Sequence, residues 1–279
     1  MPEKKTTPKE KKSSFSKSQP LQIKPQPVQM RMIDDDVHFV EYERREWEGY
    51  TLIEGFPGMG LVGTISAKYL VDHLDFKEVG YLYSDSFMPI IRIHDGLPVH
   101  PSRIYVNDKH KLVVLISEQL IPRPFIPQIA HTVVNWIKQN KIKRVISLAG
   151  LQTGQKNDMT VYAIAANKQS KRFFKGLDVQ IIDEGITTGI TAVMLLHLKD
   201  TDIDALSILG NVTFGADYKA AAELIKRLNK LLNLKMDVKP LIEKAKKTEE
   251  EILSQMKKVQ EAQVSQEKMD KSTGPSYYA

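Results

Sequence analysis

The sequence predicts an α/β fold: a single domain with a mixed, largely parallel sheet flanked by helices, plus a long C-terminal helix. Three observations carry this. Short apolar runs of strand length alternate with stretches of helical periodicity from Thr51 to Leu232. The chain has 279 residues and is 42% hydrophobic, enough to bury the core of one such domain. After Pro240 the apolar runs give way to a charged heptad-like pattern.

The elements follow in order. Residues 1–30 hold seven lysines, two glutamates and five of the fourteen prolines, with few apolar side chains. Such a segment cannot bury enough surface to offset its chain entropy, so residues 1–33 are expected to form a disordered basic tail. Order is expected near Asp34–Val40, opening a domain over 34–238. Thr51–Glu54 is a short strand, and Leu61, Ile65, Tyr69, Leu70 and Leu74 recur at helical spacing. Val79–Tyr83, Ile90–Ile93, Ile104–Val106 and Leu112–Ile116 read as strands, with His94-Asp95-Gly96 as a turn. Ile126–Gln139 reads as a helix and Val145–Ala149 as the next strand. Val161–Ala166 and Val179–Ile182 look extended. Thr188–Leu198 is helical, Leu206–Leu209 a strand and Asp217–Leu232 an amphipathic helix.

Beyond this, Leu241, Ala245, Thr248, Ile252, Gln255, Val259 and Ala262 alternate at spacings of four and three. Both a coiled coil and a solvated helix laying one stripe on its own domain fit this seam. A helix from Lys239 to Met269 would span roughly 45 Å. Residues 239–270 form the extended charged segment, and 271–279 a flexible tail after the Gly274-Pro275 break.

Composition excludes several classes of function. No cysteine is present, which removes disulfides, thiolate chemistry and Cys-ligated zinc. No apolar run is long enough to cross a membrane as a helix, and the Lys- and Pro-rich start lacks the apolar core of a secretory signal, so a cytoplasmic protein is expected. Of the net charge of +6, residues 1–30 contribute +5, leaving a nearly neutral domain and no expectation of specific nucleic-acid binding.

Gly58-Met59-Gly60-Leu61-Val62-Gly63, between a strand and a helix, spells the dinucleotide-binding fingerprint. A second reading is structural: Pro57 and Gly58 make a tight turn, while Gly60 and Gly63 let the helix pack closely on the sheet. Three residues separate strand from first glycine, where the fingerprint turns at once, and this favours the structural reading. A nucleotide- or phosphate-binding enzyme using this loop is kept as the alternative, with Asp85 placed to reach a ribose. No metal-ligand spacing occurs among the seven histidines, and no Gly-x-Ser-x-Gly elbow is present. Glu118, Asp158, Asp183 and Glu184 lie at strand ends or in loops, where capping and solvation are the usual roles; Asp34-Asp35-Asp36 reads as a solvated acidic run. No catalytic residue, metal or cofactor is assigned.

Several segments together resemble the proteasome assembly chaperone family, especially its archaeal members. They are Glu54–Gly63 with Ala67 and Tyr69-Leu70, Phe87-Met88-Pro89, Asp95-Gly96 with Pro101, and Leu112–Leu115 followed by Glu118. Val161-Tyr162-Ala163, Gly185–Gly189, Leu195-Leu196 and Ala216–Ala221 continue the match in order. The resemblance implies a nucleoside-phosphorylase-like fold without an established enzyme activity, and the chain is expected not to be an enzyme. It also implies binding to the proteasome core particle or its α subunits, often as an oligomer. The last residues, Tyr277-Tyr278-Ala279, resemble the hydrophobic–Tyr–any motif of proteasome-binding proteins. That resemblance implies carboxylate capture by a lysine between α subunits, with the Tyr278 ring in a pocket and Tyr277 over an apolar groove. The function expected is an ATP-independent core-particle-binding protein, an assembly chaperone, an activator or both.

Overall fold

The computed structural model of the chain describes residues 37–84, 87, 89–154, 158–212 and 215–243. Tyr277, Tyr278 and Ala279, the run Asp34–Asp36, Asp85 and the heptad seam beyond residue 243 lie outside the described residues.

Among the described residues, eleven strands and four α-helices form one α/β unit. In chain order they are β1 (Val37–Glu41), β2 (Thr51–Gly55), α1 (Val62–His73), β3 (Lys77–Ser84), β4 (Arg92–His94) and β5 (Leu97–Val99). Then come β6 (Ser102–Asn107), β7 (Leu112–Ser117), α2 (Ile126–Gln139), β8 (Arg144–Leu151) and β9 (Val161–Ala165). The series closes with β10 (Gln180–Ile181), α3 (Ile190–Leu198), β11 (Asp204–Asn211) and α4 (Tyr218–Leu232). Residues 239–243 are again helical.

Nine strands make one sheet in the order β1-β3-β6-β7-β2-β8-β11-β9-β10. Its centre, β7-β2-β8-β11, is parallel. The β1-β3-β6-β7 flank is antiparallel, and β9 runs antiparallel to β11. The fully buried pattern of β2 and β7 follows from this place, because a parallel strand covered on both faces reads as a continuous apolar run. α1 and α4 cover one face, α1 lying on β7, β2 and β8 and α4 on β11 and β9. α2 and α3 pack together on the other face, with α2 reaching β1 and α3 reaching β11.

Local chemistry explains the boundaries. Asp217 caps α4 by accepting a hydrogen bond from Ala220 N at 2.9 Å. α3 starts at Ile190 rather than Thr188, because Gly189 holds φ at +88°. The strand expected over Ile90–Ile93 is shifted to Arg92–His94, and its partner β5, three residues with a central proline, carries too little periodicity to be read from sequence. Asp95 and Gly96, at φ +49° and +76°, close this two-residue hairpin in the manner its twist demands.

Candidate functional site

The carboxyl end of β2 holds the expected glycine loop, and each glycine has a distinct environment. Gly58 is extended at φ −149°, and a Cβ there would meet nothing within 4 Å. Met59–Leu61 form one 3-10 turn, with Gly60 at φ +64° and Leu61 at φ +51°, before α1 begins. A Cβ on Gly60 would lie 2.7 Å from both methyls of Val212. A Cβ on Gly63 would lie 2.2 Å from the Leu148 carbonyl oxygen, and one on Gly55 2.5 Å from the Gly63 oxygen. The Gly60 carbonyl also accepts the Asp217 N–H at 2.9 Å. Thr64 in the first turn of α1 donates to the Ser117 carbonyl at the end of β7. In a dinucleotide site the second glycine opens the backbone to pyrophosphate. Here the side chain of Val212, itself buried, stands at that position.

Beneath the loop, Glu54 is fully buried. One carboxyl oxygen accepts from the Thr191 hydroxyl at 2.7 Å and the other from Phe56 N at 3.3 Å. Burial pushes this carboxyl above the ordinary glutamate range, against the pull of those hydrogen bonds. Thr191 lies in the first turn of α3, so Glu54 ties the end of β2 to that helix. Sequence reading used Glu54 only as part of a motif; a charge inside an apolar strand was the one sign of a buried role.

A second charged group lies at the end of the antiparallel flank. Glu118, after β7, is held between two guanidiniums, Arg92 of β4 and Arg103 of β6. Arg103 and Glu118 are nearly buried, and Arg103 stacks over Tyr105 at 5.4 Å. Two arginines on one carboxylate pin the β4–β5 ribbon to the sheet. The pairing joins residues 15 and 26 positions apart, which no local spacing announces.

Asp158 caps its own loop, accepting from the Thr160 hydroxyl at 2.5 Å, from Thr160 N at 2.9 Å and from Asn211. Those bonds hold its carboxyl below the usual range. It borders an open cleft of about 460 Å³ whose Arg227 is already engaged by Asp178 and Glu223. Asp183 and Glu184 are exposed. Among the described residues no group of three or more His, Asp or Glu is arranged to hold a metal, and no helix is long and apolar enough to cross a membrane.

The frame is thus an α/β sheet whose glycine turn is packed against its own strand ends, with Glu118 paired to two arginines and Glu54 held by neutral hydrogen-bond donors. The chain belongs to the PAC2 family, which matches residues 52–256. It is 31% identical over 220 residues to an uncharacterised protein of Methanocaldococcus jannaschii, covering 78% of this chain and 90% of that one. The crystal structure of Pyrococcus furiosus PbaA, described as an archaeal homolog of proteasome-assembly chaperone, superposes with a TM-score of 0.73 at 32% identity, covering 81% of this chain and 99% of that one. Pyrococcus furiosus PbaB, described as an archaeal proteasome activator, gives 0.67 at 25% identity, covering 80% and 99%. Human proteasome assembly chaperone 2 is 24% identical over 119 residues, 40% of this chain and 45% of its own.

Proposed function

We propose that this chain is a proteasome-directed binding protein that docks on the core particle without nucleotide, as an assembly chaperone, an activator or both. The observation that carries this is its likeness, over nearly their whole length, to PbaA and PbaB. The occupied space beside Gly60 and Gly63 supports a packing role for those two glycines rather than a nucleotide site, with Pro57 and Gly58 as the open lead into the turn. The globular domain associates into a homo-oligomer, and each copy presents a C-terminal tail. Tyr277, Tyr278 and Ala279 engage pockets between α subunits, and several weak tails on one oligomer gain avidity through effective concentration. Gate opening follows only if the tails bind the open ring more tightly than the closed one.

The test is a pull-down with purified core particle at physiological salt, comparing the full chain with a form lacking Tyr277–Ala279. The full chain is expected to be retained and the shortened form released. Equal retention of both would move the contact to the globular domain, and retention of neither would remove the proteasome from this reading.

A further inference from the structure

The charge of the chain outside residues 1–30 is nearly balanced, but it is not evenly spread. β8 and β11 begin side by side, Arg144 opposite Asp204, and β9 ends beside them. After β9 the chain makes the 3-10 helix Gln169–Phe174, and after α3 it turns at Lys199 into β11. Lys168, Lys171 and Lys199 thereby line one open cleft of about 350 Å³ at the amino end of the central strands. Lys175 continues the row past the 3-10 helix, and all four lysines are exposed. The ion pairs of this area are made by other residues, Lys143 with Asp202 at 2.7 Å and Arg172 with Asp204 at 2.5 Å. The cleft itself holds a single acid, Asp200. A scattered lysine is ordinary surface; four along one ridge with one acid among them make a local field of one sign.

At about 2.0 Å per residue the row from Lys168 to Lys175 is roughly 14 Å long. That exceeds the Debye length of about 8 Å at physiological salt. A single small anion would meet one end of the row, and only an extended anionic surface meets it whole. Nucleic acid fits it poorly. Phe173 carries the Arg144 and Arg172 guanidiniums at 4.4 and 4.7 Å and Phe174 is buried, so neither ring is free to stack a base. Asp200 and Asp202, exposed within the basic area, would repel an unbroken row of phosphates. A protein surface of mainly acidic side chains can set a cation opposite each of them. The same end of the domain is where the described chain leaves it. Asn107, paired with the first residue of β7, donates to the Leu74 carbonyl just after α1. One turn earlier, Tyr69 donates its hydroxyl to the Asp237 carbonyl. Residues 239–243 follow, and the sequence runs on from there to Tyr277–Ala279.

We propose that this basic end of the sheet is a second contact surface, which meets an acidic protein surface on the same partner that holds the C-terminal residues. The inference rests on the docking reading above and adds to it the chemistry of the partner's facing surface. Exposed charges govern how fast two proteins meet more than how long they stay together. The lysine row therefore steers the approach, and the C-terminal residues hold the complex.

The experiment is the association rate of the full chain with purified core particle at about 50 mM and about 500 mM salt. Lys168→Glu combined with Lys171→Glu is expected to associate about tenfold more slowly than the parent at low salt and within about twofold of it at high salt. Arg123→Glu combined with Lys219→Glu makes the same change of charge at the other end of the strands, after β7 and at the start of α4. It is expected to stay within about threefold of the parent at both salts. A parental rate for the first variant would overturn the surface, and so would equal slowing of both, since only overall charge would then matter. A second measurement uses the unaltered chain and needs no core particle: an oligoglutamate peptide is added and lysine acetylation is read by mass spectrometry. Acetylation of Lys168, Lys171 and Lys199 is expected to slow at least about threefold, with Lys219 and Lys230 of α4 unchanged. No difference between the two groups would overturn the surface even if the double substitution fails to fold. Stronger protection by a single-stranded oligodeoxynucleotide of equal charge would overturn the choice of a protein partner. A core particle that binds no form, while the peptide still protects these lysines, would count against the proteasome reading and leave the acidic-partner surface standing.

Discussion

At the β2–α1 junction, each tightly packed glycine has another part of the same chain pressed against it. Gly63 meets the Leu148 carbonyl, Gly60 meets Val212, and Gly150 meets the Met59 carbonyl. At the β4–β5 arm the apolar side chains of Ile91, Ile93 and Leu97 point into solvent. The junction uses its special residues to close the fold, the space of the missing Cβ atoms being taken by backbone at Gly63 and Gly150 and by the Val212 side chain at Gly60. The arm spends a tight turn and a buried ion pair on holding apolar surface away from the fold. The glycine motif is thus packed against its own chain at Gly60 and Gly63, and a short ribbon with little sequence signal carries exposed apolar side chains.

The contrast can be broken at the junction first. Gly63→Val places a side chain 2.2 Å from a carbonyl of a central strand, which cannot retreat without disturbing the β8–β11 ladder. A loss of about 3 kcal/mol or more is expected from urea unfolding. A loss below about 1 kcal/mol would mean that the helix is not held against the strand. Gly60→Ala is expected to cost about 2 kcal/mol, from left-handed strain together with the Val212 contact. Adding Val212→Ala should recover the steric part and leave the strain, so the two changes are expected to be non-additive in a double-mutant cycle.

Glu54 gives a pH-dependent test. Its folded carboxyl binds its proton more tightly than the unfolded one. Between the ordinary glutamate pKa and the raised one, the folded state holds more protons, so stability falls as pH rises through that window and then levels. Glu54→Gln keeps the shape and removes the titration. Its stability relative to the parent is expected to improve from pH 4.5 upward, by no more than about 1.4 kcal/mol per pH unit. Denaturant midpoints at four pH values check this, and a parallel pH dependence in both proteins would contradict it. Asp108 and Asp158, held below the usual range by hydrogen bonds and, for Asp108, by Arg45, act with the opposite sign and lose their contribution as pH falls. The smallest effect belongs to Gly58→Ala, expected within about 0.5 kcal/mol of the parent because the position is open and extended.

Most of the fold was legible because its signals are local. The period of Ile126–Gln139 gives α2 with those bounds, and the apolar runs at Thr51 and Leu112 give two central strands. Close packing at Gly60 and Gly63 was one of the two readings open to the loop, favoured over a dinucleotide site by the three residues between strand and first glycine. What fills the space was not legible, because Leu148 lies 85 residues from Gly63 and Val212 lies 152 residues from Gly60. The Arg92–Glu118–Arg103 group was hidden for the same reason: Glu118 looks like a loop carboxylate until topology brings β4 and β6 to it. The exposure of the arm follows from what does not pack on it, and no sequence period encodes that.

The central claim is attachment to the proteasome core particle through the tail. The most direct measurement is the core-particle affinity of the full chain against Tyr278→Ala and against a form carrying one added residue after Ala279, with fluorogenic peptide hydrolysis followed in parallel. A buried aromatic anchor contributes about 2 kcal/mol or more, so each change is expected to weaken binding at least about thirtyfold. Neither is expected to shift the melting temperature. If both bind like the parent, the Tyr277–Ala279 motif has no part in the contact and the account fails at its centre.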